Sequence, residues 1–416
     1  MGMRTAGWPR LAAAGVAVAA AVAVGGVIAY RVLAPAETVT VATTAYPAAP
    51  AAQPGVIGSL PAAPLIVDGR LRLYATTRQV RADGPVDART QRTPYWSYRR
   101  WPEELLGVVA VGTTVVSRWS DGELVALDAR TGKVVWRAKG KPTAKAGYDG
   151  GSTGAETLYA PVGLYTAGPK VIVRDAGFLR ALDAVTGQEA WRTALPGCRT
   201  GGFTTAGGQY VATDTCGGTP ALEFYDLATG QRTGRWEPPD AGRSLIVEPL
   251  GCATAHSACT ALRTTGGGGS KGWLTPEAAG GQPVAAPALD LPAAAVAGEV
   301  GVAVQGGAAV ARALRTGAEI WRWRGDGTAE VLAVQPGAVH LLTNAREIVT
   351  LDPSNGAEKS RFVLAYGRER VNWVPGQVRA GDGFVAVERL IEPVPDETDD
   401  AEETYFGALP VILART

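Results

Sequence analysis

The sequence predicts an all-β fold: a seven- or eight-bladed β-propeller of four-stranded antiparallel blades, preceded by one N-terminal transmembrane helix. Three observations point there. A short turn signature recurs along the chain, Gly and Pro are abundant, and one uncharged apolar stretch lies near the start.

Hydrophobic residues make up 46% of the 416 and charged residues 19%, with 54 Gly and 28 Pro. Many short strands joined by tight turns suit that balance better than long helices do. A formal net charge of +1 offers no basic surplus, so no nucleic-acid partner is expected.

Residues 11–30 read LAAAGVAVAAAVAVGGVIAY, without a charge. As a helix, such a stretch extends about 30 Å, the thickness of a bilayer's hydrocarbon core, which predicts a single-pass anchor over 11–33. Arg4 and Arg10 precede it, so the positive-inside rule puts residues 1–10 in the cytoplasm and the rest outside the plasma membrane, although Arg31 weakens the asymmetry. The alternative is secretion after signal cleavage near Ala36, where Ala34-Pro35-Ala36 resembles a cleavage site; the apolar stretch is longer than a usual signal core. The first cysteine is Cys198, which excludes a lipid-modified N-terminal cysteine. Residues 34–66, rich in Ala, Pro and Thr and without periodicity, read as a disordered linker that holds the folded part, 67–416, off the membrane.

Cys198, Cys216, Cys252 and Cys259 form an even set in a segment expected to be oxidising, with no CxxC spacing and no partnering His cluster. Two disulfides are the natural reading. Sequence neighbours suggest Cys198–Cys216 and Cys252–Cys259; four cysteines allow three pairings, and four buried thiols are the alternative.

The repeat decides the architecture. Residues 126–136 read ALDARTGKVVW and 181–191 read ALDAVTGQEAW, sharing Ala126/Ala181, Asp128/Asp183, Thr131/Thr186, Gly132/Gly187 and Trp136/Trp191 position for position. Weaker copies carry Asp226, Gly230 and Trp236, then Gly317 and Trp321, then Asp352 and Gly356, with a degenerate one near 272–281. Spacings between Gly132, Gly187, Gly230, Gly280, Gly317 and Gly356 are 55, 43, 50, 37 and 39 residues, a variation that surface loops absorb. Apolar alternation on both sides of each Asp-to-Gly step makes it a hairpin, in which the carboxylate accepts turn amides and Gly takes a positive φ. This is turn chemistry rather than an active site. The Trp suits the gap between stacked blades, where its indole N–H needs a carbonyl partner. An upstream unit over Leu71–Trp96 brings the count to seven. The strands Phe384–Leu390 and 407–414 either complete the first blade or make an eighth.

At these residues the chain resembles the pyrroloquinoline quinone (PQQ) repeat family, closely in two copies and partially in four, over about residues 90–365. It departs from the family pattern at Gly234 and Ser360, where Trp is expected, and at Ala313, where Asp is expected. The resemblance implies that each Trp packs on the Ala and Gly of a neighbouring blade's motif. It also raises a PQQ-dependent dehydrogenase with Ca²⁺ on the propeller axis. Such a site needs oxygen ligands, a carboxylate base and, in several relatives, adjacent cysteines. No Cys-Cys pair occurs, the chain is short for those enzymes, and no segment resembles their ligand loops. Neither cofactor nor catalysis is therefore expected.

Other signals are weaker. The run Glu392, Asp396, Glu397, Asp399, Asp400, Glu402 and Glu403 lacks a cation loop's alternating spacing and reads as a solvated loop. Gly266–Lys271 lacks the P-loop order. His256 and His340, the only histidines, make no recognisable nucleophile or metal motif. Tyr95–Trp101, YWSYRRW, interleaves aromatics with arginines, but its place in the repeat makes it the end of the first blade. The expected function is binding or scaffolding of envelope proteins or a small ligand outside the membrane; the non-enzymatic relatives include scaffolds of envelope protein assembly and sensor domains.

Overall fold

The computed structural model describes residues 35–416 apart from 52, 90–92, 144–155, 240, 243, 268, 368–371 and 392–408. The predicted anchor over 11–33 and the acidic run from Glu392 to Glu403 lie outside the described residues. Among the described residues no helix is long and apolar enough to cross a membrane.

The described strands form eight antiparallel sheets, the blades of one ring. Blade 1 runs from Leu65 to Trp101, blade 2 from Leu105 to Ala138, blade 3 from Leu164 to Ala194 and blade 4 from Arg199 to Trp236. Blades 5, 6 and 7 span Ile246–Ala285, Ala295–Trp323 and Ala329–Val363. In each, four strands follow one another outward. The first strands of neighbouring blades touch, as Leu164–Ala167 touches both Leu105–Val111 and Arg199–Thr204, so first strands line the axis and fourth strands form the rim.

The eighth blade closes the ring. Strands Val374–Gly381, Phe384–Leu390 and Leu409–Arg415 supply its inner three, and Gly55–Leu60 pairs with Leu409–Arg415 as its outer strand, with Val56 opposite Ala414 and Leu60 opposite Val411. The C-terminal strands thus build their own blade instead of completing the first. An N-terminal strand and the C-terminal strands thus share one sheet, which closes the ring.

Strands lie within the segment 34–66, where a linker is expected. Besides Gly55–Leu60, the strand Ala36–Thr40 adds a fifth strand to blade 1, with Ala36 opposite Trp101 and Thr40 opposite Ser97. Glu37 pairs with Arg137 at 2.5 Å, and the Ala42 amide donates to the Thr131 carbonyl at 2.9 Å, so this edge strand is pinned to blade 2. Edge pairing runs through main-chain groups and needs no side-chain alternation, which is why an Ala/Pro-rich segment can carry it.

The core is radial, one apolar slice for each junction between blades. Between blades 2 and 3, Val116, Leu124, Ala126 and Trp136 pack on Val171, Val173 and Leu182, all buried. Full burial of each aliphatic side chain contributes about 1.5–3 kcal/mol. The rim strands differ: Val135, Ile320 and Val363 are half exposed, so each fourth strand sends mainly its Trp position inward.

Candidate functional sites: the docking turns and the axial cavity

The signature residues meet across blade junctions. In blade 2 the Asp128 carboxylate accepts from the Arg130 amide at 2.9 Å and from the Thr131 hydroxyl at 3.0 Å, while the Gly132 amide donates to the Asp128 carbonyl at 2.7 Å. In blade 3 Asp183 accepts from the amides of Val185 and Thr186 and from the Thr186 hydroxyl, and Asp226 repeats this in blade 4 with Ala228 and Thr229. In blade 7 Ser354 takes the place of Thr on Asp352. These bonds hold the Asp183 carboxyl below its usual range and Asp352 at about 2.

The turns are sockets for the preceding blade's indole. Trp136 donates through Nε1 to the Ala184 carbonyl at 2.9 Å, Trp191 to Leu227 at 3.0 Å and Trp321 to Pro353 at 2.8 Å; in every case the acceptor is the residue after the motif Asp position. Trp96, on blade 1, does the same to Ala129 at 2.7 Å. The ring lies on the turn glycine: a Cβ at Gly187 would come within 2.5 Å of Trp136, and one at Gly132, Gly230 or Gly356 would strike Trp96, Trp191 or Trp321 as closely or nearly so. Gly187 also has φ +72°, which disfavours a side chain there. Within its own blade each Trp stands opposite a small residue, Ala126 opposite Trp136, Ala181 opposite Trp191 and Ala82 opposite Trp96. The Ala of the signature makes room for the indole above it.

Where the signature departs, the junction is built differently. Trp236, two residues beyond the expected position held by Gly234, meets Trp273 of blade 5 edge to face with centroids 4.9 Å apart. Gly317 faces Pro287, whose short 3₁₀ turn Pro287–Leu289 wedges between Gly272 of blade 5 and Gly301 of blade 6. Ser360 stands opposite Thr350 beside buried His340. Desolvation lowers the His340 imidazole from its ordinary 6.5 to about 4.

Cys198 is bonded to Cys216 and Cys252 to Cys259. The second bridge closes a short loop that leaves blade 5 and crosses to its neighbours. Thr204 of blade 4 takes the His256 carbonyl through its amide at 3.0 Å and gives its own carbonyl to the Cys259 amide at 2.8 Å, while the Ser257 hydroxyl accepts from the Thr166 amide of blade 3 at 3.0 Å. This loop, the first strands of blades 1, 7 and 8, and the short helix Glu156–Tyr159 enclose an axial cavity of about 670 Å³. A second hollow of about 530 Å³ lies beside the axis among blades 3 to 5, with His256 and Ala160 in the wall common to both.

The second hollow is floored by a buried ion cluster. Arg118 of blade 2 reaches Asp175 of blade 3 at 3.0 Å and the carbonyls of Val162, Gly163 and Arg174, and Arg180 approaches Asp175 from the other side at 3.0 Å. Its charges are spent on one another, within blade 3 and across its junction with blade 2. Glu223 of blade 4 is likewise structural: burial alone would raise its carboxyl, but hydrogen bonds from Arg199, Tyr225 and Arg232 outweigh that and hold it at about 2.

Other sequence signals find structural places. Gly266 pairs with Gly269 across an antiparallel hairpin, so this Gly run joins two strands and opens no helix. In Tyr95–Trp101, Trp96 is docked, Tyr98 is buried against Trp119, and Arg100 pairs with Asp121 and Glu123. Among the described residues no three His, Cys, Asp or Glu side chains gather to hold a metal ion, and Asp382 is the one described carboxylate lining the axial cavity. The cavity was not visible in the sequence, because its wall is assembled from first strands far apart in the chain.

The family described as "Outer membrane protein assembly factor BamB" matches residues 38–150 and 120–324, more than half of the chain. The crystal structure of BamB from Moraxella catarrhalis is 14% identical over 88% of this chain and 100% of that chain, with a TM-score of 0.44. The C-terminal WD40 domain of Sif2 is 12% identical over 87% and 98%, with a TM-score of 0.46. A europium-containing methanol dehydrogenase is 14% identical over 87% and 92%, with a TM-score of 0.42. At such distances none of them bears on what this chain does. No curated protein matches the chain.

Proposed function

Because this chain belongs to the PQQ-repeat β-propeller family whose matching description is an outer membrane protein assembly factor, we propose that it is a non-catalytic scaffold for proteins of the cell envelope, held outside the membrane. The single observation that carries this reading is the family match. The structure supports it in kind: a ring with signature residues committed to blade docking and, among the described residues, no converging carboxylate set on the axis. Two disulfides accord with an exported ring. The anchor would be 11–33 with its N-terminus cytoplasmic. Since Ala36–Thr40 already pairs with the outer edge of blade 1, the ring would then stand against the bilayer instead of on a stalk.

Photo-crosslinking residues at Val162 and Val185, two exposed loop positions, test the reading in living cells. Covalent adducts with envelope proteins, and protease cleavage of the ring from outside intact cells stripped of wall, are the expected results. Stoichiometric retention of PQQ and Ca²⁺ with dye-linked oxidation of an alcohol or sugar would overturn it.

A further inference from the structure

We propose that the axial cavity is a binding site for an apolar monocarboxylic acid, with the acid group on Arg379 and the apolar body against the aliphatic wall of blades 1, 7 and 8. The inference is independent of the scaffold reading and stands on the cavity's own chemistry. Protein interiors pack with few voids larger than a water molecule, so about 670 Å³ left open on the axis is a built feature. Its wall joins the aliphatic side chains of Leu65, Ile66, Leu332, Val334 and Val378 with polar groups of Thr254, His256, Gln335 and Arg379. The aliphatic part of that wall favours an apolar body in the guest, and the polar part favours a polar head. Its size is within the range that accepts small organic ligands.

The polar groups select the guest's head. Arg379 lines the cavity with its guanidinium 4.9 Å from the Tyr159 ring centroid, and its Nη2 donates to Gln377 at 3.2 Å. A guanidinium at the cavity wall donates charge-assisted hydrogen bonds to a carboxylate. Tyr159 is already committed, its hydroxyl donating to the Pro64 carbonyl. His256 is kept neutral by burial and by Arg379, both of which lower its pKa. Asp382 sits on a turn at one end, where burial and the nearby Asp68 carboxylate raise its pKa against the weaker opposing pull of the Gly69 amide and Arg415. One cation therefore faces the apolar body of the cavity, which suits one carboxylate and leaves a polyanion unneutralised.

The test uses the full chain in lipid nanodiscs, titrated calorimetrically with naphthalene-2-carboxylate and with the neutral naphthalene-2-carboxamide, empty nanodiscs being the reference. The carboxylate is expected to bind one per chain and about tenfold or more tighter than the carboxamide, the advantage of a hydrogen bond to a charged group. Arg379→Gln should erase that preference while the carboxamide still binds, which also reports that the variant is folded. Ala333→Trp and Ala253→Trp, filling the cavity from opposite walls, should each abolish binding of both compounds. No binding, equal affinities in the unaltered chain, or binding that survives both tryptophan variants would overturn the proposal.

Discussion

At the junction of blades 2 and 3, Trp136 lies on Gly187 and gives its N–H to the Ala184 carbonyl. At the junction of blades 7 and 8, the same register position holds Ser360, whose hydroxyl is buried without a partner, next to His340, Thr350 and a Gln335 bridge to Thr416 at the chain's end. Apolar closure there comes from elsewhere: Trp373, in the connection leading to blade 8, is buried with Leu342, Ile348 and Val385, and Arg346 stacks 4.1 Å from its ring centroid. The contrast shows that the repeated signature is an assembly device. Where the indole is present, geometry repeats from blade to blade; where it is missing, each junction has its own solution.

The largest effect should separate the two kinds of junction directly. Trp136→Ala removes a buried indole and its hydrogen bond, and should lower unfolding free energy by about 3–5 kcal/mol in denaturant titrations. Ser360→Ala, at the equivalent register position, removes only an unpaired buried hydroxyl and should be neutral or slightly stabilising. Equal losses at both positions would erase the distinction.

A smaller effect concerns pH. The folded His340 imidazole titrates at about 4, below its ordinary 6.5, so the unfolded chain takes the proton more readily between these values. Its contribution is fully present above pH 6.5 and is lost as pH falls toward 4, by up to about 3 kcal/mol. His340→Asn should flatten stability against pH in that window, whereas Trp136→Ala should leave the slope unchanged. Acid sensitivity would then belong to the junction without a docked indole.

The blade repeat and its turn chemistry were legible because Asp128, Thr131, Gly132 and Trp136 lie within one hairpin, where spacing alone dictates local structure. Their partners were not, since Ala184 and Gly187 meet Trp136 only through blade stacking. Counting signatures reaches seven for a physical reason. The signature marks the turn between third and fourth strands, and blade 8 has no such turn, its third strand being Leu409–Arg415 and its fourth Gly55–Leu60. The strand Ala36–Thr40 was hidden for a related reason, because an edge strand exposed along its whole length shows no apolar alternation. Likewise the axial cavity, whose wall joins Leu65, Leu332 and Val378, has no local trace in sequence.

The central claim is that indole and turn glycine form one cross-blade joint, and a double-mutant cycle on Trp136 and Gly187 tests it most directly. In the unaltered chain Gly187→Ala forces a Cβ to within 2.5 Å of the indole. With Trp136→Ala in place that collision is gone and only the strain of φ +72° remains. The account predicts that Gly187→Ala costs at least about 1 kcal/mol less in the Trp136→Ala background than alone, the coupling expected of residues in contact. Additive losses, within about 0.3–0.5 kcal/mol, would mean that the two residues do not touch and would contradict the radial stacking of the blades.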